Sequence, residues 1–264
     1  MTTALITGGT AGIGRAFAAR FAGSGYGLVL AARDAARLDA AAEQLRALGA
    51  ARVETIAADL STTQGRALVE ARLRAPSGAQ GPGEEEPAPI DILVNNAGFG
   101  LGHGFLAGSA DEEELLLDVL VRAPMRLTHA ALPGMVERGR GAVINVSSVA
   151  AFAPRGTYSA AKAWVVTFSE SVAAELRGTG VRCMALCPGF THTEFHERAQ
   201  IETGDIPGWM WLDADEVVQA ALRDLRRGLR VSVPGTQYKV LTAATRYVPR
   251  AITTRVSRGM SKRW

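Results

Sequence analysis

Short apolar segments rich in Val, Ile and Leu recur along the chain and alternate with amphipathic stretches. Each segment has the length and continuity of a parallel strand that is covered on both faces. Seven such strands separated by helical stretches predict a single α/β domain, in which a doubly wound parallel sheet carries helices on both faces. The predicted strands span residues 4–7, 28–32, 52–58, 90–95, 142–147, 182–187 and 230–233.

The helical stretches carry their own signals, and residues 34–48 are a clear example. Asp34 stands where a helix N-cap accepts backbone N–H groups, and Gly49 stands where a helix stops. The spacing of the leucines predicts an apolar stripe on the face of this helix that packs on the sheet. The leucines of that stripe are Leu38, Leu45 and Leu48.

Two segments depart from the alternation of strands and helices. Residues 75–89 have no periodicity and consist largely of Pro, Gly, Ala and Glu, which predicts a flexible surface loop. Residues 237–264 alternate basic and apolar side chains, which is typical of a basic amphipathic extension. We therefore predict one globular domain over residues 1–236, followed by a C-terminal extension over residues 237–264.

The composition, with 47% hydrophobic and 21% charged residues in 264, is that of a globular protein with a substantial core. No stretch approaches the roughly 20 apolar residues that cross a bilayer, and the first residues show no leader, so we expect a cytoplasmic protein. Cys183 and Cys187 stand four residues apart in one predicted strand. A strand separates such residues by about 13 Å, which excludes a disulfide and predicts two small core residues.

A glycine-rich turn follows the first predicted strand directly and opens a helix. Glycine is needed where the backbone approaches a pyrophosphate without a Cβ in the way, and the helix N-terminus adds free N–H groups and a positive dipole end. This context favours a dinucleotide site in a Rossmann-type fold over a tight turn without a ligand. The residues predicted to bind the cofactor here are Thr7, Gly8, Thr10, Gly12, Ile13 and Gly14.

The choice between the two nicotinamide cofactors is predicted from Arg33, nineteen residues beyond Gly14. An NAD site usually has an acid there for the ribose 2′-hydroxyl, whereas an arginine pairs with a 2′-phosphate. NADP(H) is therefore favoured over NAD(H). The alternative is that Arg33 is an exposed charge at the end of a strand, beside the helix cap Asp34.

Further motifs follow the later strands at intervals that are typical of one family. They are Asp59-Leu60, Asn95-Asn96-Ala97-Gly98, Ser148, Tyr158 with Lys162, and Pro188-Gly189. With the glycine turn, they make the chain resemble the short-chain dehydrogenase/reductases along nearly its whole length. Within that family the chain looks most similar to bacterial ketoreductase-like members that act on long hydrophobic substrates.

The resemblance implies a role for each motif on the adenosine side. Asp59, followed by Leu60, would contact the adenine. Asn95, Ala97 and Gly98 would stabilise the central sheet and line the cofactor.

On the nicotinamide side, the resemblance assigns Pro188 and Gly189 to the cofactor site, and Thr191 and Thr193 to the nicotinamide carboxamide. Tyr158 and Lys162 would also touch the cofactor. Members of the family usually pair between subunits, so the resemblance further implies a homodimer or a homotetramer.

The predicted chemistry is proton transfer by Tyr158, whose helical spacing places it on one face with Lys162. A free tyrosine has a pKa near 10, and we expect the neighbouring ammonium to lower the pKa of Tyr158 toward neutrality. Tyr158 would then give a proton to a carbonyl oxygen or take one from an alcohol, while Ser148 orients the same oxygen. Ser147 is the alternative serine.

Two departures from the family pattern bear on this chemistry. Tyr158 stands only ten positions after Ser148, about three fewer than the family usually has, so the intervening loop is predicted to be trimmed. The predicted helix over residues 115–128 also has Leu120 where the family commonly has an asparagine that binds a water near the lysine. Either backbone groups hold that water, or turnover is slow, or the protein binds cofactor with little catalysis.

Residues 195–212 are predicted to form a substrate lid, because they follow Pro188-Gly189 and include Trp209, Met210 and Trp211. Apolar bulk over the site suits an apolar substrate. The alternative is that these aromatics pack against the core. His192 and His196 have a spacing seen in metal sites, but no HExxH pattern exists, and we predict no metal.

The extension admits two interpretations, since a basic amphipathic segment either lies on an anionic membrane or packs on the domain or a second subunit. Apolar residues interrupt its basic ones, so nucleic acid is not an expected partner. Three functions follow: an NADP(H)-dependent oxidoreductase that interconverts a carbonyl and an alcohol on an apolar small-molecule substrate, a catalytically weak cofactor-binding relative, and a membrane-surface ketoreductase acting on acyl chains.

Overall fold

The computed structural model describes residues 1–75, 87–154, 156–195 and 206–247, with side chains described through residue 243. These residues form one seven-stranded parallel sheet, which confirms the predicted doubly wound Rossmann-type fold. The strands are β1 (Thr3–Thr7), β2 (Gly27–Ala32), β3 (Arg52–Ala57), β4 (Ile92–Asn95), β5 (Gly141–Val146), β6 (Val181–Leu186) and β7 (Val231–Ser232).

Eight described α-helices connect and flank the strands. They are α1 (Gly12–Ala22), α2 (Ala35–Ala47), α3 (Thr63–Arg74), α4 (Ala110–Leu117), α5 (Ala123–Glu137), α6 (Gly156–Glu175), α7 (Ala214–Arg226) and α8 (Thr236–Tyr247). A π-helical turn (Asp118–Arg122) joins α4 to α5, and 3₁₀ turns lie at Val149–Phe152 and Gly208–Met210. Among the described residues, no helix is long and apolar enough to cross a membrane.

The strand order is β3-β2-β1-β4-β5-β6-β7, so the chain reverses its direction of winding between β1 and β4. In sheets of this kind, the ligand binds in the crevice outside the carboxyl ends of the strands at that reversal. Alternate residues of β1 face opposite layers: Ile6 packs with α1, α2 and α7, whereas Leu5 packs with α3, α5 and α6. The sheet is therefore buried on both faces, and its strand ends form the floor of the site.

Parts of three predicted segments lie outside the described residues. These are residues 76–86 of the predicted loop, residues 196–205 of the predicted lid and residues 248–264 of the predicted extension. The described start of the extension, α8, packs on the domain, and its Tyr238 is 1% exposed. The boundary at residue 236 remains a prediction.

Helix α2 matches the predicted helix over residues 34–48 in the residues that mark its N-terminus and its C-terminus. Asp34 accepts a hydrogen bond from the Arg37 backbone N–H (3.1 Å), and Gly49 has a φ of 103°. Leu38 and Leu45 are buried, but Leu48 is 54% exposed, so its assignment to the inner stripe was wrong. The reason is that Leu48 is the C-cap, where the chain leaves the helix and the helical periodicity ends.

The single helix predicted over residues 115–128 is divided in the structure. The π-helical turn interrupts it, and α5 begins beside Pro124. Proline has no N–H, so Pro124 cannot donate to the carbonyl of Leu120 four residues earlier. The turn instead uses a wider bond, from the Ala123 N–H to the Asp118 carbonyl. The side chain of Leu120 is buried at this turn, beside the site described below.

Buried polar side chains tie the centre of the sheet to two helices. The Asn95 amide donates to Asn145 Oδ1 (2.8 Å) and to Thr128 Oγ1 on α5 (3.2 Å). The Asn145 amide donates to Ser169 Oγ on α6 (3.0 Å). Such buried bonds are costly to break, because each leaves a desolvated polar group without a partner. They fix the position of α6, the helix that carries Tyr158 and Lys162.

Candidate active site

A large cleft, with a volume of about 1770 Å³, opens at the carboxyl ends of the strands. Pockets for drug-sized ligands measure roughly 300–1,000 Å³, so this cleft has room for a dinucleotide together with a substrate. The glycine turn and the end of β2 line one end of the cleft, and Tyr158 and Lys162 line the other. The predicted cofactor and catalytic residues that line the cleft are Gly8, Thr10, Gly12, Ile13, Arg33, Asp59, Leu60, Ala97, Gly98, Ser148, Tyr158, Lys162, Pro188, Gly189, Thr191 and Thr193.

The glycine turn has a backbone that only glycine fits. Gly8 and Gly12 have φ values of 67° and 51°, and a side-chain carbon on Gly14 would lie 2.3 Å from the Gly8 carbonyl oxygen. Helix α1 begins here, and its N-cap Ala11 has no side chain that caps the first N–H groups. Uncapped N–H groups at a helix N-terminus suit a phosphate. The turn therefore fits the pyrophosphate of a dinucleotide.

Three residues predicted to bind cofactor lie behind this wall rather than on the cleft. Thr7 Oγ1 accepts from the N–H groups of Asn96 and Ala97 (3.0 Å each), which joins the ends of β1 and β4. Gly14 packs against Gly8, and Asn95 belongs to the buried network of the sheet. In this structure the three residues support the groups that line the cleft, and their direct contact with the cofactor stays a prediction.

At the adenosine end, the carboxylate of Asp59 accepts from the Ser61 N–H (2.9 Å) and hydroxyl (2.8 Å), which holds it at the cleft wall. Arg33 is exposed at the end of β2 and lines the cleft, while the Asp34 carboxylate is engaged in capping α2. A cation with a free approach to the cleft fits an anionic group on the ribose.

A second arginine lies at this end. Arg37, in the first turn of α2, hydrogen-bonds from Nη2 to both carboxylate oxygens of Glu194 (3.1 Å each). The same nitrogen donates to the Thr10 carbonyl in the glycine turn (3.4 Å). The Arg37–Glu194 ion pair therefore bridges the two sides of the cleft, from α2 to the segment that follows β6.

The lysine of the predicted catalytic pair is buried and held by the backbone. Lys162 Nζ donates to the carbonyl of Val146 at the end of β5 (2.9 Å) and lies 5.6 Å from the centre of the Tyr158 ring. Tyr158 and Lys162 are four residues apart on α6 and both line the cleft, as their helical spacing predicts.

The effect of this environment on Tyr158 is opposite to the expected one. Desolvation of the half-buried phenol raises the pKa of Tyr158 to about 12, and a hydrogen bond with Ser148 opposes this only in part. Burial also lowers the pKa of Lys162 to about 8. The expectation of a lowered tyrosine pKa was wrong, because burial of the phenol raises its pKa. The ammonium of Lys162 donates to the Val146 carbonyl.

The two candidate serines have different positions. Ser147 is buried, and its hydroxyl donates to the backbone carbonyl of Lys162 (2.7 Å). Ser148 caps the 3₁₀ turn, where its Oγ accepts from the Ala150 N–H (3.1 Å), and it interacts with Tyr158. The Ser148 hydroxyl can therefore donate its proton to a partner in the cleft, whereas the Ser147 hydroxyl donates to the backbone of α6.

Leu120 lies close to the lysine, at the π-helical turn. A side-chain carbon on Gly98 would lie 2.8 Å from Leu120 Cδ2 and 3.9 Å from Lys162 Nζ, so these three residues meet at one place. Leu120 is 1% exposed and packs with Leu116 and Ala161. The side of Lys162 that faces α4 is therefore apolar.

The two threonines after β6 hold the segment over the glycine turn. Thr191 is buried and donates to the Gly189 carbonyl (3.0 Å), and Thr193 Oγ1 accepts from the Phe195 N–H (3.3 Å). The side chain of Thr193 lies 3.0 Å from where a carbon on Gly12 would stand. Both threonines are thus placed between the turn and the catalytic end.

The base of the predicted lid is a short parallel bridge between Thr191 and Leu212. The hydroxyl of Tyr238, on α8, joins the two sides of this base: it accepts from the Phe190 N–H (3.0 Å) and donates to the Met210 carbonyl (2.7 Å). Met210 lines the cleft, whereas Trp209 is 67% exposed, so the predicted apolar cover divides between the cleft and the surface.

The histidine pair considered for a metal is described only in part. His192 stacks on Trp211 with the ring centres 4.7 Å apart, and His196 lies outside the described residues. Within the described part of the chain, no group of three or more His, Cys, Asp or Glu side chains could hold a metal ion. Cys183 and Cys187 are buried, as predicted for core residues.

Sequence reasoning missed Arg37, Glu194, Tyr238 and Leu241, all of which line the cleft. The position of Arg37 in the first turn after the Asp34 cap was a signal for the first, because that turn begins at the predicted cofactor site. No local pattern marks the others, since their positions depend on where distant segments meet.

The match to known proteins agrees with this geometry. The sequence profile of the family described as short chain dehydrogenase matches residues 2–203. The chain belongs to the short-chain dehydrogenase/reductase family. As a short-chain dehydrogenase/reductase, it is an oxidoreductase that interconverts alcohol and carbonyl groups.

Several relatives within the family are similar to this chain. A short chain dehydrogenase of Pseudocercospora fijiensis is 39% identical over 201 residues, which are 73% of this chain and 60% of that protein. A short-chain dehydrogenase from Sphingobium yanoikuyae, solved in complex with NADPH, has a TM-score of 0.82 and 37% identity and covers 93% of this chain and 94% of its own. The bulky-bulky ketone specific alcohol dehydrogenase from Comamonas testosteroni has a TM-score of 0.77 and 33% identity over 93% of this chain and 92% of its own.

Proposed function

We propose that this oxidoreductase interconverts an apolar ketone and its alcohol with NADP(H), using Tyr158 as the proton donor and acceptor. The observation that carries the proposal is that Tyr158, Lys162 and Ser148 converge on the end of the cleft opposite the arginines. A bound nicotinamide would supply or accept the hydride.

The proton chemistry follows from the environment of the side chains. Because the pKa of Tyr158 stands at about 12, the phenol holds its proton at neutral pH and can give it to a carbonyl oxygen. Ser148, which interacts with the phenol, would donate a second hydrogen bond to the same oxygen. A protonated Lys162 beside the resulting phenolate would stabilise it, and the Val146 carbonyl holds the lysine in place.

The preference for NADP(H) is supported by charge at the adenosine end. Arg33 has a free approach to the cleft, and Arg37 lies in the first turn of α2, within reach of the glycine turn. An arginine forms strong, paired hydrogen bonds with a phosphate and none of comparable strength with a ribose hydroxyl. The relative from Sphingobium yanoikuyae was solved with NADPH, which agrees with this preference.

The preference for an apolar substrate is supported by the walls at the catalytic end. The side chains there are mainly aromatic and aliphatic, and a wide apolar wall favours substrates with bulk on both sides of the carbonyl. The relative from Comamonas testosteroni is named for such ketones. The apolar residues that line this end include Phe99, Leu101, Leu116, Phe190, Met210 and Leu241.

A second candidate is a relative that binds cofactor with little catalysis, and Leu120 is the observation that favours it. With Leu120 against Gly98 and Lys162, the lysine faces an apolar group where a relay water would need a polar one. The two candidates differ in turnover and agree in cofactor binding. We also propose a homodimer or homotetramer that acts in the cytoplasm.

The proposal is tested by titrating NADPH and NADH into the protein and then following NADPH oxidation with a panel of ketones of increasing bulk. We expect tighter binding of NADPH and the highest kcat/KM with bulky apolar ketones. Binding without turnover across the panel favours the second candidate, and absence of binding contradicts both.

A further inference from the structure

The adenosine end of the cleft holds an ion pair that neither the fold nor the catalytic chemistry explains. Arg37 and Glu194 are joined by two hydrogen bonds of 3.1 Å, although 157 positions separate them in the chain. Both side chains are partly exposed, at 40% and 43%, and both line the cleft. An ion pair at this exposure contributes little to stability, so its partners exchange easily.

Arg37 is placed where the cofactor has its negative groups. Long helical side chains point back toward the helix N-terminus, and Arg37 follows this rule, reaching the Thr10 carbonyl in the glycine turn (3.4 Å). The end of β2, which carries Arg33, is where a Rossmann-type site meets the ribose 2′ position. The guanidinium of Arg37 therefore lies between the pyrophosphate turn and the 2′ position, and its Nη2 group is bonded to Glu194.

We propose that Glu194 and the 2′-phosphate of NADP(H) compete for Arg37. A 2′-phosphate carries close to two negative charges at neutral pH and takes paired hydrogen bonds from a guanidinium. The single carboxylate of Glu194 is the weaker partner. NAD(H) has only a hydroxyl at this position, so with NAD(H) the Arg37–Glu194 pair stays intact.

The competition makes Glu194 a residue that tunes cofactor specificity. When Arg37 turns to the phosphate, its ion pair with Glu194 must break. The free energy of breaking this ion pair lowers the affinity for NADP(H) and leaves the affinity for NAD(H) unchanged. Glu194 thereby narrows the difference in affinity between the two cofactors, whereas Arg37 widens it. This inference rests on the proposed cofactor site, and it concerns binding rather than catalysis.

The test is the dissociation constant of NADPH and of NADH, measured by calorimetry on the wild type, Arg37→Gln, Glu194→Gln and the double variant. Arg20→Gln and Glu137→Gln are matched controls, because they make the same charge changes on exposed residues that do not line the cleft.

We expect Glu194→Gln to tighten NADPH binding about 2- to 5-fold, the range that an exposed ion pair represents, and to leave NADH unchanged. Arg37→Gln should weaken NADPH binding about 10-fold or more, as for a lost charge-assisted hydrogen bond, again with NADH unchanged. In the double variant, the affinity for NADPH should equal that of Arg37→Gln, since Glu194 acts only through Arg37.

Three results overturn the competition. If Glu194→Gln weakens the binding of both cofactors, the Arg37–Glu194 pair has a structural role and maintains the shape of the cleft. If Glu194→Gln still tightens NADPH in the Arg37→Gln background, Glu194 repels the phosphate directly. If NADPH binds the wild type and the Arg37 and Glu194 variants equally, the competition fails while the proposed function stands. If neither cofactor binds the wild type, the proposed function fails first.

Discussion

The ring of Tyr238 packs directly on Gly189, at a distance that leaves no room for a side chain. A carbon added to Gly189 would lie 2.0 Å from the ring atoms Cε2 and Cζ. Gly189 follows β6, and Tyr238 belongs to α8, so this contact fixes the last described helix against the catalytic end of the cleft. The glycine is needed there because of a distant aromatic ring and not because of its own backbone angles.

The contact predicts the outcome of a double-mutant cycle between Gly189 and Tyr238. We expect Gly189→Ala to lower the free energy of unfolding by about 1–3 kcal/mol, the usual cost of overpacking, and to reduce activity by displacing α8. Tyr238→Ala should remove most of the additional cost of Gly189→Ala, because it removes the ring. Urea denaturation of the two single variants and the double variant measures the coupling.

Gly208→Ala is the control for this cycle, since nothing lies within 4 Å of the added carbon there. If the losses of unfolding free energy in the two single variants simply add in the double variant, the Gly189–Tyr238 contact does not couple the two residues.

Tyr158→Phe removes the proposed proton donor and keeps the ring. We expect kcat with a good ketone to fall by about 10²- to 10⁴-fold, the range for general acid catalysis, while the dissociation constant of NADPH changes little. Stopped-flow measurement of NADPH oxidation and a cofactor titration separate these effects. Tyr26→Phe, far from the cleft and stacked on Phe21, is the matched control. Undiminished turnover in Tyr158→Phe would remove Tyr158 from the mechanism.

Leu120→Asn tests whether the apolar group beside Lys162 limits turnover. An amide at this place can hold a water near the ammonium, so we expect kcat to rise several-fold even though burying the amide costs about 1–3 kcal/mol of stability. Steady-state kinetics and thermal denaturation report the two effects.

Leu127→Asn is the control for Leu120→Asn, because Leu127 is equally buried but packs in a different apolar cluster from the one that holds Leu120 and Tyr158. It should lose stability without any gain in kcat. A kcat that falls in both variants alike would contradict a relay role for the position.

The buried Lys162 predicts a pH dependence of stability. Its pKa falls from 10.5 to about 8 in the folded protein, so between pH 8 and 10.5 the unfolded chain binds a proton that the folded chain has released. Stability contributed through this group therefore rises with pH across that window. The difference in unfolding free energy between wild type and Lys162→Met should shift in favour of the wild type by about 1–2 kcal/mol between pH 7.5 and 9.5. A constant difference would mean that the lysine titrates normally.

The two interpretations of the extension are separated by a cut after residue 247 rather than after residue 236. A chain that ends at 236 loses Tyr238 and its bonds to Phe190 and Met210, so we expect it to lose activity for a local reason. A chain that ends at 247 keeps them. Weaker sedimentation of the 1–247 chain with anionic vesicles, compared with residues 1–264, would support membrane contact, and equal sedimentation would exclude it.

The parts of the protein that sequence could predict are those set by local pattern. The seven strands, the cap at Asp34 and the glycine turn depend on neighbours within a few residues, and their types and approximate places were right. Leu48 was misplaced because periodicity cannot tell where the helix ends. The division of the helix over residues 115–128 was missed, although Pro124 marked it.

The remaining features of the site depend on contacts between distant segments. Helical spacing places Tyr158 and Lys162 on one face, but it cannot show that distant segments bury the phenol, which raises the pKa of Tyr158, or that the Val146 carbonyl accepts a hydrogen bond from the ammonium. The Arg37–Glu194 pair and the Tyr238–Gly189 contact likewise join residues that no local pattern connects.

The position of Tyr238 late in the chain has a consequence for how the protein folds during its synthesis. A ribosome delivers β1, the glycine turn and α6 well before α8, and domains begin to fold as they emerge. We expect a nascent chain that lacks α8 to form its nucleotide groove before Tyr238 can link Phe190 to Met210 at the base of the predicted lid. The ability to hold a cofactor should then precede the ability to select a substrate, and a stalled or truncated product would bind nucleotide without being a competent reductase.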